Sequence, residues 1–281
     1  MRGFRFVLCD VFADRPLTGN QLAVFTDARD IPEELLLPLA REIGFSETVF
    51  VFPPQGQGHA RLRIFTPAVE LSFAGHPVLG AAFVLAGPLQ VDEIRLETRA
   101  GVIPVRLERE EARIVFGRMD QPVPSVSSYP EPDALLEALG VKASQLPVDV
   151  YDNGLSHVFV VLGTPGEVAA LAPDLRQLAR LPEELGVNVA AGSGRRWKTR
   201  MFAPAGGIAE DAATGSAAGP LAGHLARHGR VPAGQEIEIA QGEEIGRPSR
   251  LYARVQGSPH RIERVEVGGR AHLVARGEFR L

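Results

Sequence analysis

One stretch occurs twice in this chain, and a repeat of that length limits what the chain can become. The first copy, RIFTPAVELSFAGHP, runs from Arg63 to Pro77, and the second, RMFAPAGGIAEDAATGSAAGP, from Arg200 to Pro220. Arg63, Phe65, Pro67 and Ala68 match Arg200, Phe202, Pro204 and Ala205 at an offset of 137. Three extra residues follow in the second copy. Glu70 and Gly75 then match Glu210 and Gly215 at an offset of 140, and Ala82, Leu85 and Ala86 fall on Ala222, Leu225 and Ala226. The period is too long for a solenoid and points to a duplicated domain.

Each copy reads the same way. A strand with alternating apolar residues ends in Phe-x-Pro, a turn carries an acidic residue, and Gly plus a polar residue opens a helix. The first helix, from Val78 to Ala86, has no polar face and is expected to be buried all round. Pro77 suits its first position, with His76 as the cap before it and Gly87-Pro88 as its stop. The second is expected from about Ser216 to His228, ending at Gly229. A buried helix leaves its first N–H groups without partners. If a two-fold relation brought both helix mouths to one cleft, the free N–H groups and helix dipoles would favour an anion there, most simply a substrate carboxylate. For a single copy, a plain cap explains the same residues.

The 281 residues are enough for two domains, and 45% of them are hydrophobic, as in a globular chain. The formal net charge of −4 gives no basic footprint for nucleic acid. No apolar run approaches a bilayer span, and MRGFRFVLCDVF enters as a strand rather than a signal peptide, so the expected location is cytoplasmic. Cys9 is the only cysteine, which excludes an internal disulfide, a multi-cysteine zinc site and a racemase working with two thiols. Lys142 and Lys198 are the only lysines, and neither context invites a pyridoxal phosphate Schiff base.

Along the chain, strands are expected at 4–12, 22–26, 46–52, 60–66, 91–97, 101–107 and 112–117. A helix capped by Asp30, with Pro32 in its first turn and a stripe of Ile31, Leu35, Leu39 and Ile43, ends at Gly44. Pro38 lies inside it. The Pro- and Ser-rich stretch from Arg118 to Pro132 reads as a linker, with 121–132 its centre, between an N-terminal domain of residues 1–120 and a C-terminal domain of 133–281. The second half is expected to hold the helix ALLEALG, a helix near 173–185, and strands near 146–151, 156–162, 197–202, 235–240, 250–255, 262–267 and 271–276. Whether the last strand returns to the first domain stays open. Each half therefore reads as a curled, mostly antiparallel sheet around one enclosed helix, an α+β class.

No standard cofactor motif is present. GSGRRW at 192–197 lacks the third glycine of a dinucleotide fingerprint, and there is no GxxxxGK[ST] or GxSxG. His224 and His228 have metal-like i, i+4 spacing, but no third ligand is evident, and a solvated helix end explains them better. The reading is of a chain without cofactor or metal. What remains are Glu47, His76, Asp211 and Ser216 around the two helix mouths. Glu47 is either a solvated strand start or a carboxylate in a closed cleft, where burial would raise its pKa from about 4.3 towards 6–7 and suit it to proton transfer. Asp211 with Glu210 is either a pair of first-turn acids or a cleft carboxylate. His76 serves as cap, as ligand contact, or as both.

DVFADRPLTGNQLAVF, GFSETVFV, RIFTPAVELSFAGHP, GRRWKTRMFAPAGGIAEDAATGSAAGPLAGHLARHG and EIGRPS together resemble the phenazine-biosynthesis isomerase family, PhzF, over essentially the whole chain. MDQPVP and EDAATGSAAGPLA are similar to the phenazine enzymes themselves. The resemblance implies the diaminopimelate epimerase-like fold, two similar barrels each around a central helix, with the active site between them and a homodimer as the assembly. Where epimerases of this fold place catalytic cysteines, the chain has Ala74 and Thr214. The resemblance gives the acid/base role to Glu47, with Asp211 and His76 assisting. It gives substrate binding to Gly75, His76, Gly215 and Ser216, joined by Ser46 and Asn20 of the same motifs. The implied reaction moves a proton from C3 to C1 of trans-2,3-dihydro-3-hydroxyanthranilate, and one base on one face suffices for such a 1,3 shift. Gln21, where many relatives carry Pro, alters a turn but no proposed catalytic group. Two alternatives stay open: an isomerase or epimerase of the same fold acting on another small carboxylate, and a non-catalytic binding protein.

Overall fold

A computed structural model of the chain describes residues 2–182, 185–258 and 261–281. In chain order the elements are β1 (Gly3–Val11), β2 (Asn20–Phe25), α1 (Glu33–Ile43), β3 (Glu47–Phe52), β4 (Ala60–Phe65), β5 (Glu70–Leu71), α2 (Gly75–Leu89), β6 (Glu93–Thr98), β7 (Gly101–Glu110) and β8 (Arg113–Gln121). They continue with β9 (Ser125–Ser128), α3 (Pro132–Leu139), β10 (Asp149–Asp152), β11 (Ser156–Val161), α4 (Pro165–Ala169), α5 (Leu175–Leu178), β12 (Leu185–Ser193), β13 (Arg196–Ala203) and β14 (Ile208–Asp211). Last come α6 (Gly215–Arg227), β15 (Ile237–Gln241), β16 (Ser249–Ser258), β17 (Arg261–Gly269) and β18 (Ala271–Arg280). The chain forms two compact units: one runs to Asp120 and takes in Gly268–Leu281, and the other is Gln121–Val267. The class is α+β, with curled mixed sheets and few helices.

The repeat reappears as a repeated order of pairings. In the first unit β1/β2 is antiparallel, β2/β3 parallel, β3/β4 antiparallel, β4/β6 parallel and β6/β7 antiparallel. In the second, β10/β11, β11/β12, β12/β13, β13/β15 and β15/β16 follow the same sequence. A parallel pair needs a crossover. α1 and α2 supply the two in the first unit; α4 with α5, and then α6, supply those in the second. The conserved letters of the repeat do one job in both. Arg63 Nε and Nη2 donate to Glu70 at 2.8 and 2.6 Å, and Arg200 Nε and Nη2 donate to Glu210 at 2.8 and 2.7 Å. Each guanidinium also lies over the Phe two residues on, 5.2 Å from the Phe65 ring centre and 5.1 Å from that of Phe202. A two-toothed Arg–carboxylate bridge of this kind fixes the turn that leads into each helix.

α2 is enclosed as its composition requires. Every residue from Gly75 to Val84 is buried, and the helix touches β1, β2, β3, β6, β7 and β18. Fully burying side chains such as Leu79 or Phe83 is worth about 1.5–3 kcal/mol each. Close approach demands a bare backbone at Gly80, where a Cβ would meet Leu22 and Val11 at 2.6 and 2.7 Å. α6 is equally buried from Gly215 to Ala226, against β10, β11 and β16. A separate cluster of Phe25, Phe50 and Phe65 packs under α1, with Phe25 stacked on Phe50 at 4.8 Å. The closing strand β18 pairs antiparallel with β1 from Gly3↔Arg280 to Val11↔Ala271.

Several expectations need correction. His76 is not the cap of α2 but its second residue; the cap is Ala74, with no side-chain bond. Gly87-Pro88 does not stop the helix, which runs to Leu89 and ends where Gln90 turns left-handed (φ 52°). A proline in a last turn removes only one helical bond. Asp30 caps nothing; α1 starts after Pro32 and buries Leu36, Leu39 and Ala40 rather than Leu35. Gly44 does end it, in the left-handed region. The stretch Arg118–Pro132 is no bare linker, since it holds the end of β8 and all of β9, which pairs with β10. The helix expected near 173–185 shrinks to Leu175–Leu178, and Glu183 and Glu184 of that span lie outside the described residues. The strand β12 was not anticipated at all. Among the described residues, no helix is long and apolar enough to cross a membrane.

Candidate active site

In the first unit, four of the residues singled out from sequence come together. Asn20 and Glu47 open β2 and β3, Ser46 precedes Glu47, and His76 is the second residue of α2. Glu47 is 8% exposed and His76 3%, so the solvated reading of Glu47 is ruled out. His76 Nε2 lies 3.5 Å from Glu47 Oε2, Asn20 Nδ2 lies 3.3 Å from His76 Nδ1, and Ser46 Oγ donates to Asn20 Oδ1 at 3.2 Å. Burial pushes the His76 pKa down to about 3, against an opposing hydrogen bond with the Gln21 backbone. The contact is therefore a neutral imidazole beside a carboxylate, not an ion pair. The preceding loop earns its Gly19: φ is +73°, and a Cβ there would collide with the Val11 carbonyl.

In the second unit, Asp211 closes β14, and Gly215 and Ser216 open α6. Asp211 and Glu210 are not first-turn acids: α6 has none, and Glu210 is spent on Arg200. Thr214 Oγ1 donates to Asp211 Oδ2 at 2.7 Å. Gln241 Nε2 donates to both the Asp211 carbonyl and Thr214 Oγ1 at 2.9 Å. So the residue standing where a thiol would be expected is a hydroxyl committed to orienting a carboxylate. Cys9 is no substitute, being buried in β1 with its thiol pKa pushed up by that burial. Lys198, likewise, is held between Glu243 and Glu244 at 2.6 and 2.7 Å.

Ser216 is set by residues that sequence reading missed. Its Oγ lies 3.0 Å from His157 Nε2, and the other ring nitrogen lies 3.3 Å from Asn188 Nδ2. Asn188 Nδ2 also donates to the Gly186 carbonyl at 3.0 Å, so the amide presents its donor to the ring. Burial holds His157 neutral, with a pKa down at about 4. Its Nδ1 then accepts, its Nε2–H donates to Ser216 Oγ, and the serine proton is left to be given elsewhere. The repeat carried a signal for this. His157 follows Asn20 at the same offset of 137, and each contacts the second residue of its unit's buried helix. Phe159 pairs with Asn188 as Leu22 pairs with Glu47, so the second unit has an amide where the first has the carboxylate. Pro220 in α6 deprives the Ser216 carbonyl of its helical partner, and Asn153 Nδ2 fills the gap at 2.9 Å; Gln121 Nε2 donates to the Gly215 carbonyl at 2.8 Å.

Neither helix has a side-chain bond from its cap residue, Ala74 or Thr214, to the N–H groups of its first turn. Taken by itself, the first unit offers a buried carboxylate that can move a proton, and the second a hydroxyl that can donate and a helix start that can hold an anion.

Residues 9–277 match the model of the phenazine biosynthesis-like (PhzC-PhzF) family. A trans-2,3-dihydro-3-hydroxyanthranilate isomerase of Pseudomonas aeruginosa is 52% identical over 97% of this chain and 98% of its own. A PhzF-family phenazine biosynthesis protein of Bacillus anthracis superposes with a TM-score of 0.86 at 22% identity over the full length of both chains. A hydroxyproline epimerase of Agrobacterium vitis shares the fold at a TM-score of 0.68 and 13% identity, over 99% of this chain and 91% of its own.

Proposed function

Because this chain belongs to the PhzF family of isomerases, with its diaminopimelate epimerase-like fold, we propose that it isomerises trans-2,3-dihydro-3-hydroxyanthranilate with Glu47 as the single acid/base. The observation that supports this most is a buried glutamate facing a neutral imidazole in the first unit, with an amide, Asn188, at the matching register position of the second. A 1,3 proton shift needs one base that works on one face of the substrate; inversion needs two. Glu47 takes the proton from C3, the electron pair of that bond moves into the ring π system, and the protonated Glu47 delivers the proton to C1. The enol so formed tautomerises to the ketone. No atom is gained or lost.

In this reading the substrate carboxylate is held at the start of α6 by the N–H groups at Gly215 and Ser216 and by the hydroxyl proton of Ser216. Asp211, oriented by Thr214, takes the amino group, and His76 stays neutral, so that it does not hold Glu47 as a permanent ion pair. The same reading carries a cytoplasmic homodimer, checked by light scattering of the purified protein and by cell fractionation. The mechanism is tested by turnover in deuterated buffer. Wild type should give rearranged product labelled at C1, and Glu47→Gln should give none while still binding substrate. Label at C1 with Glu47→Gln intact in rate would sink the assignment. Exchange with some other small carboxylic acid alone would move the substrate, not the base.

A further inference from the structure

The pair His224 and His228, which the sequence leaves as a solvated helix end, stands in quite different surroundings. His224 is fully buried, and among the described residues neither of its ring nitrogens has a hydrogen-bond partner. Its ring is packed between aromatic neighbours, 5.7 Å from Phe159 and 5.6 Å from Tyr151 between ring centres. A buried imidazole with both nitrogens unused is a costly arrangement that calls for an explanation. The fold also supplies the third group that the sequence could not show. Asp149, on β10, is 6% exposed and lies between the two histidines. Its Oδ2 is 3.0 Å from His228 Nε2 and 3.8 Å from His224 Nδ1. One ligand atom from each of the three residues lies within 4.8 Å of the others.

We propose that Asp149, His224 and His228 form a site for a divalent transition metal of the zinc class, clipping β10 to the last turns of α6. Metal–ligand bonds of about 2.0–2.2 Å at tetrahedral angles put ligand atoms about 3.4 Å apart. The observed 3.0 and 3.8 Å fall on either side of that value. Two imidazoles and one carboxylate suit zinc-like ions and not calcium or magnesium, which take oxygen. The His228 side chain is 20% exposed, which gives an entry path and leaves room for water as a fourth ligand. A plain Asp149–His228 hydrogen bond would account for two of the three groups but not for His224.

The site is tested with the whole chain, stripped with a chelator and titrated with Zn2+ by calorimetry, then with Co2+ by visible absorption. Wild type should bind one Zn2+ per chain, melt at a higher temperature with it, and give the intense absorption of four-coordinate Co2+. His228→Gln and Asp149→Asn should each weaken Zn2+ binding tenfold or more. Neither residue is among the acid/base or substrate-holding groups named above, and circular dichroism checks that the variants fold. Failure of the wild type to bind near one equivalent, or binding that survives both substitutions, overturns the proposal. Faint, six-coordinate Co2+ absorption does so as well, since it reports loose surface histidines.

Discussion

Lowering the pH from 7.5 to 5.0 should remove stability in a window set by three histidines. His76, His157 and His224 are buried and neutral in the folded chain, with pKa values pushed down to about 3, about 4 and about 4, against 6.5 when exposed. The unfolded chain therefore binds protons below pH 6.5 that the folded chain refuses, so stability falls as the pH falls. At pH 5.0 the unfolded histidines sit about 1.5 units above the solution pH. At 1.36 kcal/mol per unit this is about 2 kcal/mol for each histidine, or roughly 6 kcal/mol together. The figure is insensitive to how far below 5 the folded values lie, because the loss is set by the unfolded state until the folded groups titrate. The carboxylates with lowered pKa values, Asp27, Glu33, Glu97, Asp152, Asp174 and Glu243, lose their contribution only below about pH 4.5 and stay out of this window. Urea unfolding followed by circular dichroism measures the loss, and Trp197, the only tryptophan and a buried one, reports the second unit by fluorescence. His76→Asn and His157→Asn should each flatten the pH dependence by about 2 kcal/mol, whatever they do to the baseline at pH 7.5. An unchanged difference between the two pH values in both variants would refute the claim that these rings are buried neutral.

The duplicated bridges should not be equal in strength. Glu210→Gln leaves Arg200, whose side chain is 9% exposed, without its carboxylate and should cost about 3–5 kcal/mol. Glu70→Gln leaves Arg63 the Glu33 carboxylate and should cost about 1–3 kcal/mol in the same unfolding assay. Replacing Arg200 and Glu210 together by Met and Leu should recover much of the loss. Ser216→Ala should lower kcat/KM by roughly 10- to 100-fold, the worth of one hydrogen bond to a charged group, and lower the melting temperature through the cost of leaving His157 Nε2 unpaired, about 1–3 kcal/mol. Asn188→Leu, which frees His157 to adopt the wrong tautomer, should move kcat/KM in the same direction by less.

The parts of this molecule that could be read from sequence are those written twice. The Arg–Phe–Glu–Gly letters predicted paired strands, a turn and an enclosed helix, and both units carry them down to the same bridge and the same ring contact. What escaped was written once, or written differently in the two copies. Asn20 and His157 hold equivalent places but share no chemistry, so a comparison by residue type passes over them. Glu47 and Asn188 are equivalent only through strand register, and in β12 the alternation of Leu185, Val187, Val189 and Ala191 into one core cluster is blunted by the small residues Gly186, Ala190 and Gly192 that alternate with them. The short helix α4 had its signal in plain view. Thr164 and Glu167 form a reciprocal capping box around Pro165, overlooked because five residues are too few for periodicity to show. His224 failed for the opposite reason. Its i, i+4 spacing was seen, but sequence supplies only the neighbours along the helix, and the group that gives the pair a purpose arrives from β10, 75 residues earlier. The same limit explains Ser216. Its position at a helix mouth is a matter of spacing, whereas its readiness to donate depends on an amide and an imidazole delivered by two strands that only the folded sheet sets side by side.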